Sequence, residues 1–369
     1  MTRRTNIINN VIYMALTMGA LFGIIMVCNE RYTTEIFQVV LRFLVGAILA
    51  GLLNTVVHEL GHLIAGKRNG FAFSAICIWF FKWARVGKKI RFDFVMMGDE
   101  AGYTEMIPKS TENLDRRLAK MTRGAIIASF VMMLIGIPPL FIKSLSLWIY
   151  CIWSVFLPVG VYFFFGSVLP MTNEGVRNDG AVLYGIKKKE DSIKVSLNVL
   201  AIQAEMYNGK TPSEIDEALY FDLPQLPEDD LNFVVLLNAR YNYYLDKEDY
   251  DNAKKVTARL MGLADDLPKA YAYVIKTDAL YNACTFDKNE EIADDLTYEL
   301  EKYLNNVNNS STVRAKLAYL LNIKGESDAL DIFYKKGVKE ANRCQISGLG
   351  RFEKKLIDKL KDDFVQVSE

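Results

Sequence analysis

The chain has 369 residues, with 44 lysines and arginines against 44 aspartates and glutamates, and is formally neutral. That balance excludes a nucleic-acid binder driven by bulk positive charge, and 51% hydrophobic with 24% charged residues exclude a disordered chain. The neutrality conceals a division, because residues 1–186 carry 18 basic and 11 acidic side chains while residues 187–369 carry 26 and 33. Two kinds of domain are expected: a membrane domain over 1–186 and a soluble helical domain over 187–369. The five cysteines, Cys28, Cys77, Cys151, Cys284 and Cys344, are scattered without a C-x-x-C pair. They suggest neither a disulfide framework nor a cysteine metal site, and fit a reducing, cytoplasm-facing setting.

Four stretches lack any charge: Thr5 to Asn29, Phe43 to Val57, Gly124 to Ile142, and Ser144 to Asn173. A span needs ~20 mostly apolar residues. The second stretch reaches that length only with Ile36–Leu41, which places Arg42 near one end, where it can snorkel to the interface. Spans are therefore predicted at about residues 7–28, 36–66, 123–142 and 145–169. The first is too long for a signal peptide and has no small-residue cleavage site. Twelve basic residues lie between Lys67 and Arg123, whereas the connections near 29–35 and 142–146 hold only Arg31 and Lys143. The positive-inside rule then puts the N-terminus, the 67–123 segment and everything after the fourth span in the cytoplasm.

Within that segment, residues 71–107 are rich in strand formers. Phe73 to Phe81 reads as one strand, Ile90 to Val95 alternates cleanly as a second, and Ala101 to Met106 is a third ended before Pro108. Gly98-Asp99-Glu100 reads as a turn. A small sheet at the membrane surface is expected, followed by a basic stretch from Leu114 to Arg123 that leads into the third span.

The second span ends in Val57-His58-Glu59-Leu60-Gly61-His62, an H-E-x-x-H. On a helix, His58 and His62 project from one face, one turn apart, and two imidazoles at that spacing can hold one Zn2+ ion. Glu59 points to the adjoining side, where it can act on a water activated by such an ion. These are the only two histidines in the chain. If the helix emerges near Lys67, His58 lies ~14 Å deep at ~1.5 Å per residue. Polar groups at that depth need partners and mark function; the bland reading is a polar cluster joining helices, or a zinc site with a structural role.

A hydrolytic zinc site has three protein ligands, so one more is needed. Pro170 breaks the fourth span, and Asn178-Asp179-Gly180 is turn chemistry. A broken helix at membrane depth is tolerated only where it faces protein or a wet cavity. Asp179 is thus either a ligand folded back toward the histidines or an ordinary turn aspartate at a span exit.

The His58–His62 motif, the Pro170 to Gly180 segment and the layout of spans resemble the site-2 protease family of intramembrane zinc metalloproteases. The resemblance covers about residues 36–186 and implies that His58, His62 and Asp179 are ligands of one zinc ion and that Glu59 is catalytic. It further implies that Gly102-Tyr103-Thr104 is a membrane-associated strand that binds substrate. Arg123-Gly124-Ala125 through Ser129 loosely matches a G-P-x-x-N element. The chain departs from the family with Ser167 for the usual asparagine, Ala125 for a proline, and eight residues between Pro170 and Asp179. Glu174 is the alternative third ligand, with Asp99 and Glu100 more remote.

The function implied is an intramembrane zinc endopeptidase acting on a single-pass membrane protein or membrane peptide. In it, Glu59 takes a proton from the attacking water and returns it to the departing amine. A substrate helix must unwind to expose a carbonyl, and the 101–106 strand offers an edge for the extended segment. Bacterial members release transcription regulators or process small membrane peptides, so a bacterial cell membrane is the expected location. The competing reading is a non-catalytic membrane scaffold with a structural or degenerate zinc site. A tethered soluble metalloprotease is contradicted by the apolar Phe43–Val57 run preceding the motif.

Residues 187–369 read as helical throughout. Thr211-Pro-Ser-Glu214 is a capping box with proline at the first helical position. Helix pairs are expected with joints at 246–250, near 286–289 and near 324–326. Ala253, Ala293 and Ala329 are spaced by 40 and 36 residues, near the ~34-residue period of tetratricopeptide-like hairpins. Such a solenoid offers a concave surface for a cytoplasmic protein partner. Tyr241, Tyr243, Tyr244, Tyr271 and Tyr273 line that surface or, as helical spacing favours, belong to the core. The expected fold class is a mainly α membrane protein: four transmembrane helices with a small membrane-surface β-sheet, followed by a soluble all-α tetratricopeptide-like solenoid.

Overall fold

The computed structural model describes residues 3–33, 35–95, 101–173 and 175–368. The chain divides into two compact units. One comprises Met1–Ala84, Ile90–Ile107 and Asn113–Ile193; the other comprises Arg85–Lys89, Pro108–Glu112 and Lys194–Glu369.

Among the described residues of the first unit, four helical segments are apolar and long enough to cross a membrane: Thr5–Arg31, Ile36–Arg68, Leu114–Leu140 and Leu147–Val168. This is the architecture of a multi-pass membrane protein. Helix α1 is Arg3–Arg31, α2 Ile36–Arg68, and α3 Leu114–Ile135. The basic stretch from Leu114 is not a lead-in; it is the first turns of α3 itself, where long cationic side chains can reach the interface. The fourth segment is two helices, α4 (Leu147–Ser154) and α5 (Phe156–Val168). Pro158 has no N–H to offer the Ser154 carbonyl four residues back, and the helical ladder breaks there. Arg31 donates to the carbonyls of Pro139 at 3.0 Å, Ile142 at 3.2 Å, and Leu140, in the turn that follows α3.

Helices α2 and α3 meet at two glycines. A Cβ on Gly61 would lie 2.7 Å from Ala125 Cα and 2.7 Å from the Gly124 carbonyl oxygen, and one on Gly124 would lie 2.6 Å from Gly61 O. Small residues let the backbones approach, as is usual where helices pack in a membrane. Gly61→Val is expected to cost ~1–3 kcal/mol from overpacking, read as a lower thermal midpoint in detergent. An unchanged midpoint would show that the helices can part there freely.

The sheet follows α2. Strands β1 (Phe71–Ile78), β2 (Phe81–Val86), β3 (Lys89–Phe94) and β4 (Gly102–Pro108) lie in the order β3-β2-β1-β4. The run Phe73 to Phe81, expected as one strand, turns back on itself. Ile78 pairs with Phe81 in an antiparallel hairpin, with Trp79 in the left-handed region at φ 55°. The Trp79 N–H, lost to the hairpin, donates to Ala101 O at 2.8 Å, so the turn is held by the residue leading into β4. The expected turn at 98–100 lies outside the described residues. Phe73, Ile76 and Ile78 pack with Leu52, Val56 and Leu63 of α2, which sets the sheet directly against the helix bearing the histidines. After α5, the two-residue strands β5 (Thr172–Asn173) and β6 (Val176–Arg177) form a small hairpin that leads into α6 (Asp179–Lys188).

The C-terminal region that makes up most of the second unit is all-α, as expected. Its helices are α7 (Asp191–Tyr207, whose first three residues belong to the first unit), α8 (Ala218–Phe221), α9 (Leu231–Asp246), α10 (Tyr250–Met261), α11 (Lys269–Asn282), α12 (Glu290–Asn306), α13 (Ser310–Asn322), α14 (Lys335–Arg343) and α15 (Ser347–Ser368). The Thr211 capping box forms, but it opens only a single 3-10 turn, Pro212–Glu214. Ile215 leaves the helical path in an extended conformation and is buried with Ile202, Tyr220 and Tyr243. Burial of that side chain outweighs the local helix start. Ala253, Ala293 and Ala329 are all buried in one core, and so is Tyr241; Tyr243 lies in a neighbouring core and Tyr271 is partly exposed.

At the centre of α11, α13 and α15 lies a buried ionic triad. Arg314 Nη2 donates to Asp278 Oδ1 at 3.0 Å and Nε to Glu353 Oε2 at 2.9 Å, and the guanidinium lies 4.1 Å from the Tyr281 ring centre. Burial pushes the Asp278 and Glu353 carboxyls up in pKa, and Arg314 opposes that rise. Burial also works against the Arg314 charge, but the two carboxylates hold its pKa above the ordinary value.

Candidate metal centre

The last third of α2 carries His58, Glu59 and His62, and α6 opens with Asp179. His58 Nε2 lies 3.4 Å from Asp179 Oδ2, and His62 Nε2 lies 3.3 Å from Asp179 Oδ1. The three donor atoms all lie within 4.8 Å of one another. A helix places His58 and His62 on one face; the bend after α5 brings Asp179, at the start of α6, to that face.

These residues fit a zinc ion. A tetrahedron with metal–ligand bonds of ~2.0–2.1 Å has edges of ~3.3–3.4 Å, and each imidazole lies about that far from one carboxylate oxygen, His58 from Oδ2 and His62 from Oδ1. Asp179 Oδ2 is buried and accepts no hydrogen bond among the described residues, a costly state for a carboxylate without a cation. On the far side of its ring, His58 Nδ1 lies 2.8 Å from Oγ of Ser129, which α3 buries completely. A hydrogen bond at the second nitrogen is the usual means of aiming a metal-binding histidine.

Glu59 is nearly fully buried and turns toward the sheet. Thr104 Oγ1 lies 2.7 Å from Glu59 Oε2 and 3.1 Å from the Glu59 carbonyl. Gly102 sits so close that a Cβ there would lie 2.7 Å from Thr55 Cγ2 and 3.2 Å from Glu59 Cγ. The structure thus brings Gly102 and Thr104 against Glu59. Tyr103 is partly exposed, with the Lys82 ammonium 5.8 Å from its ring centre. Strand β4 pairs with β1 on one side and ends the strand order, so its other edge is unpaired among the described residues. Glu174, Asp99 and Glu100, the other acids considered as ligands, lie outside the described residues.

The bend is itself a network. Asn178 Nδ2 donates to Gly166 O at 2.6 Å and Leu169 O at 2.7 Å, while its Oδ1 accepts from Met171 N and Ala181 N, both at 2.9 Å. Gly180 is required beside it, since a Cβ there would lie 2.4 Å from Val168 O. From α1, Asn6 and Asn9 reach the same bend. Sequence reasoning passed over Asn6, Asn9 and the His58 contact of Ser129. The one available signal was polar side chains inside otherwise apolar spans, which are expensive there and seldom idle.

Comparison of the chain with protein-family models, with curated proteins and with solved structures finds no match. The site therefore rests on its own geometry: a His/His/Asp cluster, among membrane-spanning helices, able to hold a metal ion.

Proposed function

We propose that the protein is an intramembrane zinc endopeptidase of the site-2 protease type, hydrolysing peptide bonds of membrane-anchored proteins or peptides. One observation carries this reading. Two imidazoles of the second span and a carboxylate from the segment after the fourth converge within reach of one metal ion, beside a buried glutamate that faces an edge strand.

His58, His62 and Asp179 hold the zinc ion. When bound, the ion supplies Lewis acidity for a peptide carbonyl and lowers the pKa of a water. In this arrangement His58 Nδ1–H donates to Ser129 Oγ, which leaves Nε2 for the metal. Glu59 is the base: one carboxylate oxygen takes the proton of the attacking water and later delivers it to the departing amine nitrogen. The Thr104 hydroxyl, donating to Glu59 Oε2, fixes the carboxylate rotamer. The free edge of β4 receives the unwound substrate as an added strand, with Gly102 and Tyr103 beside it. Placed by the positive-inside rule, the N-terminus and the all-α unit face the cytoplasm. That unit is read as a tetratricopeptide-like stack offering a surface to a cytoplasmic partner. The side-by-side packing of α11 with α13 and of α13 with α15 supports this.

The test combines metal content with turnover. Purified wild type should carry one zinc ion per chain, and His58→Ala or Asp179→Ala should lose most of it together with cleavage of membrane peptides. Full zinc occupancy in the Asp179→Ala variant would remove that residue from the ligand set. A metal-replete wild type that leaves the membrane peptide profile of its cells unchanged would favour the scaffold.

A further inference from the structure

The fourth span loses helical order at Leu169, on the segment that carries Asp179 to the histidines. Pro170 brings no N–H, and the carbonyls that follow the helix end have no helical partners. All four from Leu169 to Thr172 are nonetheless bonded. Leu169 O accepts from Asn178 Nδ2 at 2.7 Å, and Met171 O from Asn178 N at 3.1 Å. Pro170 O accepts from Asn9 Nδ2 at 2.7 Å, and Thr172 O from Asn6 Nδ2 at 2.7 Å. The last pairing is two-way, because Thr172 N donates to Asn6 Oδ1 at 3.0 Å.

These donors have two origins. Asn178 belongs to the bent segment and shapes it from within. Asn6 and Asn9 sit one turn apart on α1, a helix that supplies none of the three metal-site residues and packs along α5. An open carbonyl is costly where water is scarce, so amides facing the bend hold it at a set height against the bundle. Asn10, the next residue, donates instead to the Asn6 carbonyl of its own helix at 2.9 Å.

We infer that α1 positions the third metal ligand: Asn6 and Asn9 clamp the 170–172 backbone and thereby fix where Asp179 meets His58 and His62. They are positioning residues and touch neither metal nor substrate. The inference rests on the metal-site reading above.

The test uses the full chain in detergent micelles, with Zn2+ affinity from chelator competition and the visible absorption of bound Co2+ as readouts. Asn6→Leu/Asn9→Leu removes both clamps and keeps α1 apolar. Its zinc affinity should fall ~10–100-fold, the range for losing support around a ligand. Its Co2+ spectrum should shift toward that of Asp179→Ala. Asn10→Leu should match wild type in both readouts, which a general effect of leucine on α1 would not allow. Wild-type affinity and spectrum in the double variant would overturn the role of α1 while leaving the metal site standing. A wild-type chain that takes up neither ion would overturn the metal reading and this inference with it. If the double variant does not assemble, Asn9→Leu, which keeps the Asn6–Thr172 pair, is read in the same way: weakened zinc binding supports the clamp, and unchanged binding overturns it.

Discussion

Replacing Glu59 by glutamine is expected to leave zinc content unchanged and to lower peptide hydrolysis by ~10²–10⁴-fold, the usual contribution of a positioned base. The glutamine amide oxygen can still accept the Thr104 hydroxyl that now lies 2.7 Å from Glu59 Oε2, so packing against β4 persists. What disappears is an anionic oxygen able to take a proton. Turnover of a membrane peptide in proteoliposomes, with metal content measured on the same preparation, separates the two effects. Undiminished hydrolysis by the variant would remove Glu59 from the chemistry. Lost zinc would instead mean that the side chain helps to build the metal site.

The largest stability effect is expected at Arg314→Met. Removing the cation leaves Asp278 and Glu353 buried without their shared partner, and breaking a buried pair in this way costs ~3–5 kcal/mol. Burial already drives both carboxyls toward the neutral form, and Arg314 is the main group opposing it. Tryptophan fluorescence would miss the loss, since Trp79, Trp83, Trp148 and Trp153 all lie in the first unit. Hydrogen exchange at amides of α11, α13 and α15 reads it directly as a lower opening free energy. Combining the substitution with Asp278→Asn and Glu353→Gln should recover part of the loss, because no unpaired charge then remains inside. Protection equal to wild type in Arg314→Met would show that the triad is energetically idle.

Much of this site is legible in the sequence. His58 and His62 are the only imidazoles in the chain, sit one helical turn apart and follow an apolar run, so spacing and depth together identify them. Asp179 was half legible: the residues alone left a turn aspartate equally plausible, and the distances to both imidazoles are what distinguish it. The work of Asn6, Asn9 and Asn178 was hidden because their partners are backbone carbonyls, which carry no sequence signature. Residue pattern and resemblance together put Thr104 on a strand offered to substrate, whereas the structure also sets its hydroxyl on Glu59. Trp79 shows why strand boundaries fail: a bulky residue at positive φ is a poor turn former by composition, and the fold imposes the turn on it. In the all-α unit, apolar periodicity gave helices and joints. It could not reveal that Arg314 lies inside, because an arginine amid such a pattern reads as a solvated face.

The distribution of the His/His/Asp cluster along the chain has a consequence for biosynthesis. The imidazoles are made early, and the carboxylate arrives only after two more crossings of the bilayer have been synthesised and the fourth has bent back. A partly inserted nascent chain therefore displays the two imidazoles without the carboxylate that completes the cluster. Assembly of the His/His/Asp cluster is therefore coupled to topology: it waits on the last crossing of the bilayer and the bend that follows it.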